Sequence, residues 1–241
     1  MSGPGRRVVV VGGTSGIGRA IAERFAADGA HVIATGASLA ETAAAQADAH
    51  DAGAPHFEVL DVRDAAAVQA FFAGQESLDV LVNCAGVIRR GAEHDPAVFA
   101  EVVDINLNGT MRCCSAARTL LAQTRGAIVN TASMLTFFGG GLVPAYSASK
   151  GGIGQLTKSL AIAYAVDGIR VNAVAPGWIA TPLTAALQAD PARSGPIVAR
   201  TPLARWGTPQ DVADPVFFLA SDAARFVTGT ILPVDGGYLI S

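Results

Sequence analysis

Charge is sparse in this chain: 15% of its 241 residues are Asp, Glu, Lys or Arg, with a formal net charge of -3. Such a surface offers no field for a polyanion, which excludes nucleic acid as a principal partner. Cysteine is nearly absent. Cys84, Cys113 and Cys114 have no metal-ligand spacing and leave an odd number, which excludes a disulfide framework and leaves no metal site to propose; they fit a reducing cytosol as packing residues. Long uninterrupted apolar runs are missing too. Arg6-Arg7 precedes only Val8 to Val11 before glycines take over, too short a core for an export signal. The stretch from Gly126 to Ser149 carries no charge and could span a bilayer by length, but Asn130, Thr131, Ser133, Gly139 to Gly141 and Pro144 interrupt it. The expectation is a cytoplasmic protein without a membrane partner.

What is present is apolar: 51% of the residues, enough for an extensive core. The length suits one large domain, and no repeat or low-complexity linker divides it. Short apolar runs at Val8 to Val11, His31 to Ala34, Phe57 to Leu60, Val80 to Val82, Ala127 to Val129, Val171 to Val174 and Ile231 to Val234 read as buried parallel strands. Helical patterns lie between them at Ile17 to Ala27, Leu39 to Ala49, Ala65 to Ala73, Pro96 to Gln123, Ser147 to Val166 and Pro209 to Leu219. This βαβα order predicts an α/β fold: a single-domain, Rossmann-type, doubly wound parallel sheet of about seven strands with helices on both faces. Residues 183–206, with Pro191, Pro196 and Pro202, break the rhythm and read as a lid insertion.

Two motifs carry chemistry. The first strand runs into Gly12-Gly-Thr-Ser-Gly16-Ile-Gly18 and then a helix. Glycines there let the backbone approach a pyrophosphate, whose charge is met by the open amides of the helix N-terminus. The second is Tyr146-Ser-Ala-Ser-Lys150. On a helix, residues four apart share a face, so the Lys150 ammonium can stabilise the Tyr146 phenolate and depress its pKa, making the phenol a proton exchanger near neutral pH.

With Asp61-Val62, Asn83-Cys-Ala-Gly86, Asn106, Ser133, Pro176-Gly177, Thr181 and Asp235-Gly-Gly237, these motifs resemble the short-chain dehydrogenase/reductase superfamily over almost the whole length. Val11 and Cys84 depart from it, standing where many relatives have threonine and asparagine. The resemblance implies an NAD(P)-dependent enzyme interconverting a secondary alcohol and a ketone. It makes Tyr146 the general acid/base, Ser133 the partner of the substrate oxygen and Lys150 the binder of the nicotinamide ribose. Asn106 would hold a water linking Lys150 to solvent, or simply kink its helix. Cofactor contacts are implied for Gly12, Thr14, Ser15, Gly16, Ile17, Gly18, Gly36, Ala37, Asp61, Val62, Asn83, Ala85, Gly86, Tyr146, Lys150, Pro176, Gly177, Ile179 and Thr181. Thr35-Gly36-Ala37-Ser38 supplies neither an acid for ribose hydroxyls nor an arginine for a 2'-phosphate; with no phosphate partner visible, NAD is favoured over NADP.

Within the superfamily, Val87-Ile-Arg-Arg90, Ala132-Ser-Met-Leu-Thr-Phe137 and Arg205-Trp-Gly207 resemble bacterial sugar-acid oxidoreductases of the 2-deoxy-D-gluconate 3-dehydrogenase type. That implies a small sugar acid or polyol held by Arg90, Leu135, Phe138, Trp178 and Arg205, since guanidinium groups grip carboxylates bidentately. The alternatives are 3-oxoacyl-thioester reduction and a nucleotide-binding sensor without turnover. The resemblance also implies a homotetramer.

Overall fold

Alternation along the first strand explains how both faces of the sheet are covered. The computed structural model describes residues 5–49 and 53–241. In it, β1 (Arg7–Val11), β2 (His31–Gly36), β3 (His56–Val59), β4 (Val80–Asn83), β5 (Ala127–Thr131), β6 (Arg170–Pro176) and β7 (Ile231–Val234) form one parallel sheet in the order 3-2-1-4-5-6-7. The helices are α1 (Gly16–Ala27), α2 (Leu39–Ala47), α3 (Ala65–Ala73), α4 (Pro96–Val103), α5 (Gly109–Thr124), α6 (Pro144–Tyr164), α7 (Ala185–Gln188), α8 (Pro191–Arg200) and α9 (Pro209–Ala220). Val8 and Val10 share one core with Ile21 and Phe25 of α1 and Val212 and Val216 of α9. Val9 and Val11 share the other with Phe72 of α3, Leu121 of α5 and Leu160 of α6. Burial stabilises by about 2 kcal/mol for each such side chain. A strand with both faces covered has no polar side, so its sequence reads as a continuous valine run.

From β1 the chain winds one way to β2 and β3, and the other way from β4 onward. A crevice opens where the direction reverses, outside the carboxyl ends of β1 and β4. Every catalytic candidate lies on a segment that leaves the sheet at this edge.

Two expected elements differ. The helix predicted over Pro96 to Gln123 is interrupted by a π-helical stretch, Asp104–Asn108. Its inward residue, Asn106, is fully buried and bonds outside its own helix, the kind of local demand that produces a π-bulge. The helix predicted from Ser147 starts earlier, at Pro144, because proline at the first helical position lacks only an amide that would go unpaired. The proline-rich insertion contains α7 and α8, neither with a buried residue. Among the described residues no helix is long and apolar enough to cross a membrane.

Candidate active site

The crevice is a cleft of about 840 Å³, a volume suited to a small-molecule ligand. Its floor is the turn after β1. Gly12 has φ +78°, and a Cβ there would lie 2.5 Å from the Ala85 amide nitrogen; only glycine lets the β1 turn and the end of β4 meet. Ser15, the N-cap of α1, makes no side-chain cap, and the first turn of α1 has no acid. The amides of that turn are therefore open to an anion. The residues present fit a dinucleotide pyrophosphate. Thr14, Ser15, Gly16, Ile17, Gly18, Gly36, Ala37, Asp61, Val62, Ala85, Gly86 and Thr181 all join Gly12, Tyr146 and Lys150 on the cleft wall.

At the α6 end, Lys150 is buried and donates to the Thr131 carbonyl at 2.6 Å, with its Nζ 5.5 Å from the centre of the Tyr146 ring. The Ser133 hydroxyl lies close enough to the Tyr146 phenol to favour its ionised form. It also accepts from the Leu135 amide at 3.2 Å, so its side chain is aimed by the short 3-10 turn it caps, Met134–Thr136. Asn106 accepts from the Val87 amide at 2.8 Å, and donates to the Val87 carbonyl at 3.0 Å and to Ser149 at 3.1 Å. It clamps the start of the β4–α4 loop to α6. Gly86 lies where these groups converge: a Cβ there would stand 3.3 Å from Asn106 Oδ1 and 3.7 Å from Lys150 Nζ.

The electrostatics correct one expectation. The Tyr146 phenol is pushed above its ordinary pKa, by desolvation first and by the nearby Glu93 carboxylate as well, with the Ser133 hydrogen bond pulling the other way. Burial, not the lysine four residues on, decides its proton affinity. Desolvation lowers Lys150 itself to about 8, so its charge is largely retained at neutral pH and lost just above it, and its Nζ is directed at a carbonyl. Cys84 lies on the cleft wall beside Thr131, Sγ to Oγ1 3.1 Å, and desolvation raises its thiol to about 11; it is a neutral wall group.

At the β2 end the structure supplies an acid that the sequence reading missed. Glu41, in the first turn of α2, folds back so that Oε2 accepts from the Ala37 amide at 2.9 Å, beside Gly36 and on the cleft wall. The signal was Ser38-x-x-Glu41, a capping-box spacing that returns the N3 side chain towards the helix start. Asp48 and Asp61 line the same end. Arg63, on the wall there, is held by Asp61 at 2.6 Å, which keeps that carboxyl below its ordinary pKa.

Other expected contacts fall elsewhere. The Asn83 side chain turns inward, away from the cleft, donating to Asn130 Oδ1 at 2.9 Å; the in-register pairing of these residues on β4 and β5 gives them one face. Ile179 is buried and bridges to Gly207, and Pro176 and Gly177 lie behind the wall, Gly177 packed against Asp235. Trp178 and Arg205 line a separate cavity of about 490 Å³. Arg205 is forked onto Asp211 at 2.6 and 2.9 Å, and Trp178 packs edge-on to Trp206 and Tyr238. Leu135 and Phe138 follow Ser133 without reaching the cleft wall, and Arg90 is exposed.

A parallel sheet with a glycine turn at its switch point and a Ser-Tyr-Lys cluster beside it defines a nicotinamide-dependent oxidoreductase. The chain belongs to the short-chain dehydrogenase/reductase family: the family model described as Enoyl-(Acyl carrier protein) reductase matches residues 11–239. It is 42% identical to the 2-dehydro-3-deoxy-D-gluconate 5-dehydrogenase of Pseudoalteromonas atlantica, over 98% of this chain and 96% of that one. It is 44% identical to the cis-4-hydroxycyclohexanecarboxylate dehydrogenase of Sinomonas cyclohexanicum, over 97% and 96%. Among solved structures, one from Agrobacterium tumefaciens with bound NADP, provisionally named 2-deoxy-D-gluconate 3-dehydrogenase, superposes with a TM-score of 0.88 at 40% identity, covering 99% of this chain and 98% of that one. The chain is thus an NAD(P)-dependent oxidoreductase that interconverts a secondary alcohol and a ketone.

Proposed function

We propose that the enzyme acts on a small carboxylate-bearing secondary alcohol or its ketone, of the sugar-acid or polyol class, with NAD. The observation that carries the reading is the Ser133–Tyr146 hydroxyl pair above buried Lys150, at the α6 end of a cleft floored by the glycine turn. The nicotinamide, when bound, supplies hydride transfer at its C4. Tyr146 gives its proton to the substrate oxygen in reduction and takes it in oxidation. Ser133 holds that oxygen as charge develops, and Lys150 and Asn106 hold the ribose and the route to solvent. The β2 end would hold the adenosine; the acids there oppose a 2'-phosphate and Arg63 is already paired with Asp61, so Glu41 supports NAD.

Relatives named for 2-dehydro-3-deoxy-D-gluconate and for cis-4-hydroxycyclohexanecarboxylate share a carboxylate remote from the reacting carbon. On this chain the exposed Arg90 offers the counter-charge; Arg89, on the cleft wall, is already engaged by Glu101 and Arg205 by Asp211. Residues 183–206 act as a lid, Pro182 and Leu183 touching the cleft where they begin. The working assembly is a cytoplasmic homotetramer, supported by apolar side chains left exposed on the helices beside the site, Met111 on α5 and Ile162 on α6 among them.

A panel of sugar acids, polyols, hydroxycyclohexanecarboxylates and 3-oxoacyl thioesters, each with both cofactors and followed by nicotinamide absorbance, tests this. The expected result is the highest kcat/KM for a hydroxy or oxo acid with NAD. The family model's description names an acyl-carrier-protein substrate, so the thioester arm is the serious rival. A preference for it of tenfold or more overturns the sugar-acid reading.

A further inference from the structure

Among the described residues one carboxylate is fully buried. Glu93, 1% exposed, lies on the loop between β4 and α4, and buried acids ordinarily carry a basic partner. Its partners are instead two backbone amides: Oε1 accepts from Arg89 and Oε2 from Tyr146, each at 2.8 Å. The Tyr146 amide belongs to the first turn of α6, where amides have no partner within the helix. The residue at the N-cap, Val143, makes no side-chain cap. Glu93 supplies the missing cap from 53 residues away, and its negative charge suits a helix N-terminus. The loop is tied to the chain before α6 at two further points, Gly91 N–H to the Leu142 carbonyl at 2.8 Å and the His94 ring to the Gly141 carbonyl at 3.0 Å.

We propose that Glu93 is a positioning residue: its carboxylate seats Tyr146 by holding that residue's own amide, and it docks loop 87–93, with Arg89 and Arg90, against the tyrosine. The proposal rests on Tyr146 being the acid/base. Its consequence is electrostatic as well as mechanical. The titratable and charged groups around Tyr146 are Lys150 on its own helix, Cys84 at the end of β4, and Glu93. The Arg89 guanidinium is drawn off to Glu101 at 3.1 Å, the exposed Arg90 follows it on the loop, and His94 sits on Gly141. Glu93 is the negative member of this set. It disfavours the phenolate and holds Tyr146 as a proton donor, the form that ketone reduction needs.

Tyrosinate absorbance, taken as the difference between each protein and its Tyr146→Phe counterpart, reads this phenol directly, since the chain has only three tyrosines. In Glu93→Gln the phenol should titrate about half to one pH unit lower than in the wild type. The acid limb of alcohol oxidation should move with it, while the NADH dissociation constant stays within about twofold, this residue lying away from the glycine turn. Glu93→Asp keeps the charge and shortens the reach. There the titration should match the wild type while kcat falls about fivefold or more, because the amide of Tyr146 is released. An unmoved or raised titration in Glu93→Gln, or wild-type turnover in Glu93→Asp, overturns the proposal; should the Gln protein not fold, the Asp protein decides alone. A Tyr146→Phe enzyme that still turns over sinks the acid/base assignment instead, whatever Glu93 does.

Discussion

At the β2 end of the cleft the wall is made of glycine backbone, open amides and exposed acids, and its parts come from neighbouring stretches of chain: Gly12 to Gly18, Gly36 and Ala37 with Glu41, Asp61 with Arg63. At the α6 end the working groups are buried side chains whose partners are remote in sequence. Lys150 reaches Thr131, Asn106 reaches Val87 and Ser149, and Glu93 reaches Tyr146. The first kind of wall recognises a shape and a charge with groups that need no reorganisation. The second shifts the proton affinity of the groups it encloses, because a low-dielectric surrounding penalises charge. One end is therefore fitted to holding a ligand and the other to moving a proton.

The sharpest way to break that contrast is to remove the proton and nothing else. Tyr146→Phe should lower turnover about a thousandfold, within the usual range for a lost general acid/base. NADH affinity, read by nicotinamide fluorescence, should be unchanged. In the wild type, oxidation needs the phenolate of a group whose pKa is raised; its rate should climb with pH, whereas reduction, which needs the phenol, should hold up through neutral pH. Weakened cofactor binding in Tyr146→Phe, or a pH profile of opposite slope, would mean that the two ends are not separable.

A second test concerns the polar network beneath the α6 end. Asn130 is fully buried, accepts from Asn83 at 2.9 Å and donates to Thr157 at 3.0 Å, joining β4, β5 and α6. Asn130→Ala leaves those partners unpaired and opens a void. It should cost about 2–3 kcal/mol in urea unfolding while leaving the ratio of NADH to NADPH affinity unchanged. A loss under about 0.5 kcal/mol would show that water replaces the network without penalty.

The same contrast explains what the sequence could disclose. Gly12 to Gly18 and Tyr146 to Lys150 are legible because each is a local pattern whose geometry follows from a turn or a helix repeat. The strand runs are legible because burial on both faces leaves them mostly apolar. Glu93 reads as a loop acid, since nothing near it in the chain announces the amide of Tyr146. Asn83 reads as a cleft residue, yet its register opposite Asn130 turns it inward. Arg205 reads as a carboxylate clamp until Asp211, at the third position of α9, is seen to occupy it. The lysine effect on Tyr146 follows from i,i+4 spacing alone, but in the fold desolvation acts on both groups and outweighs it.

Glu41 lies between these cases, and its substitution carries the smallest expected effect. The strand end offers no acid in sequence order, but a capping-box spacing brings one back from the first turn of α2. Glu41→Gln keeps an oxygen to accept from the Ala37 amide, so folding and the NADH dissociation constant should change little. The lost charge would otherwise face the 2'-phosphate of NADPH, so the preference for NADH over NADPH should narrow by about tenfold, as two like charges a few ångströms apart in water imply. Turnover at saturating NAD should stay at the wild-type level, because nothing at the α6 end is touched. If both dissociation constants rise together, Glu41 serves only to fold the turn, and discrimination must come from the paired Asp61 and Arg63; if neither moves, the acid is a helix cap and the β2 end selects by backbone shape alone.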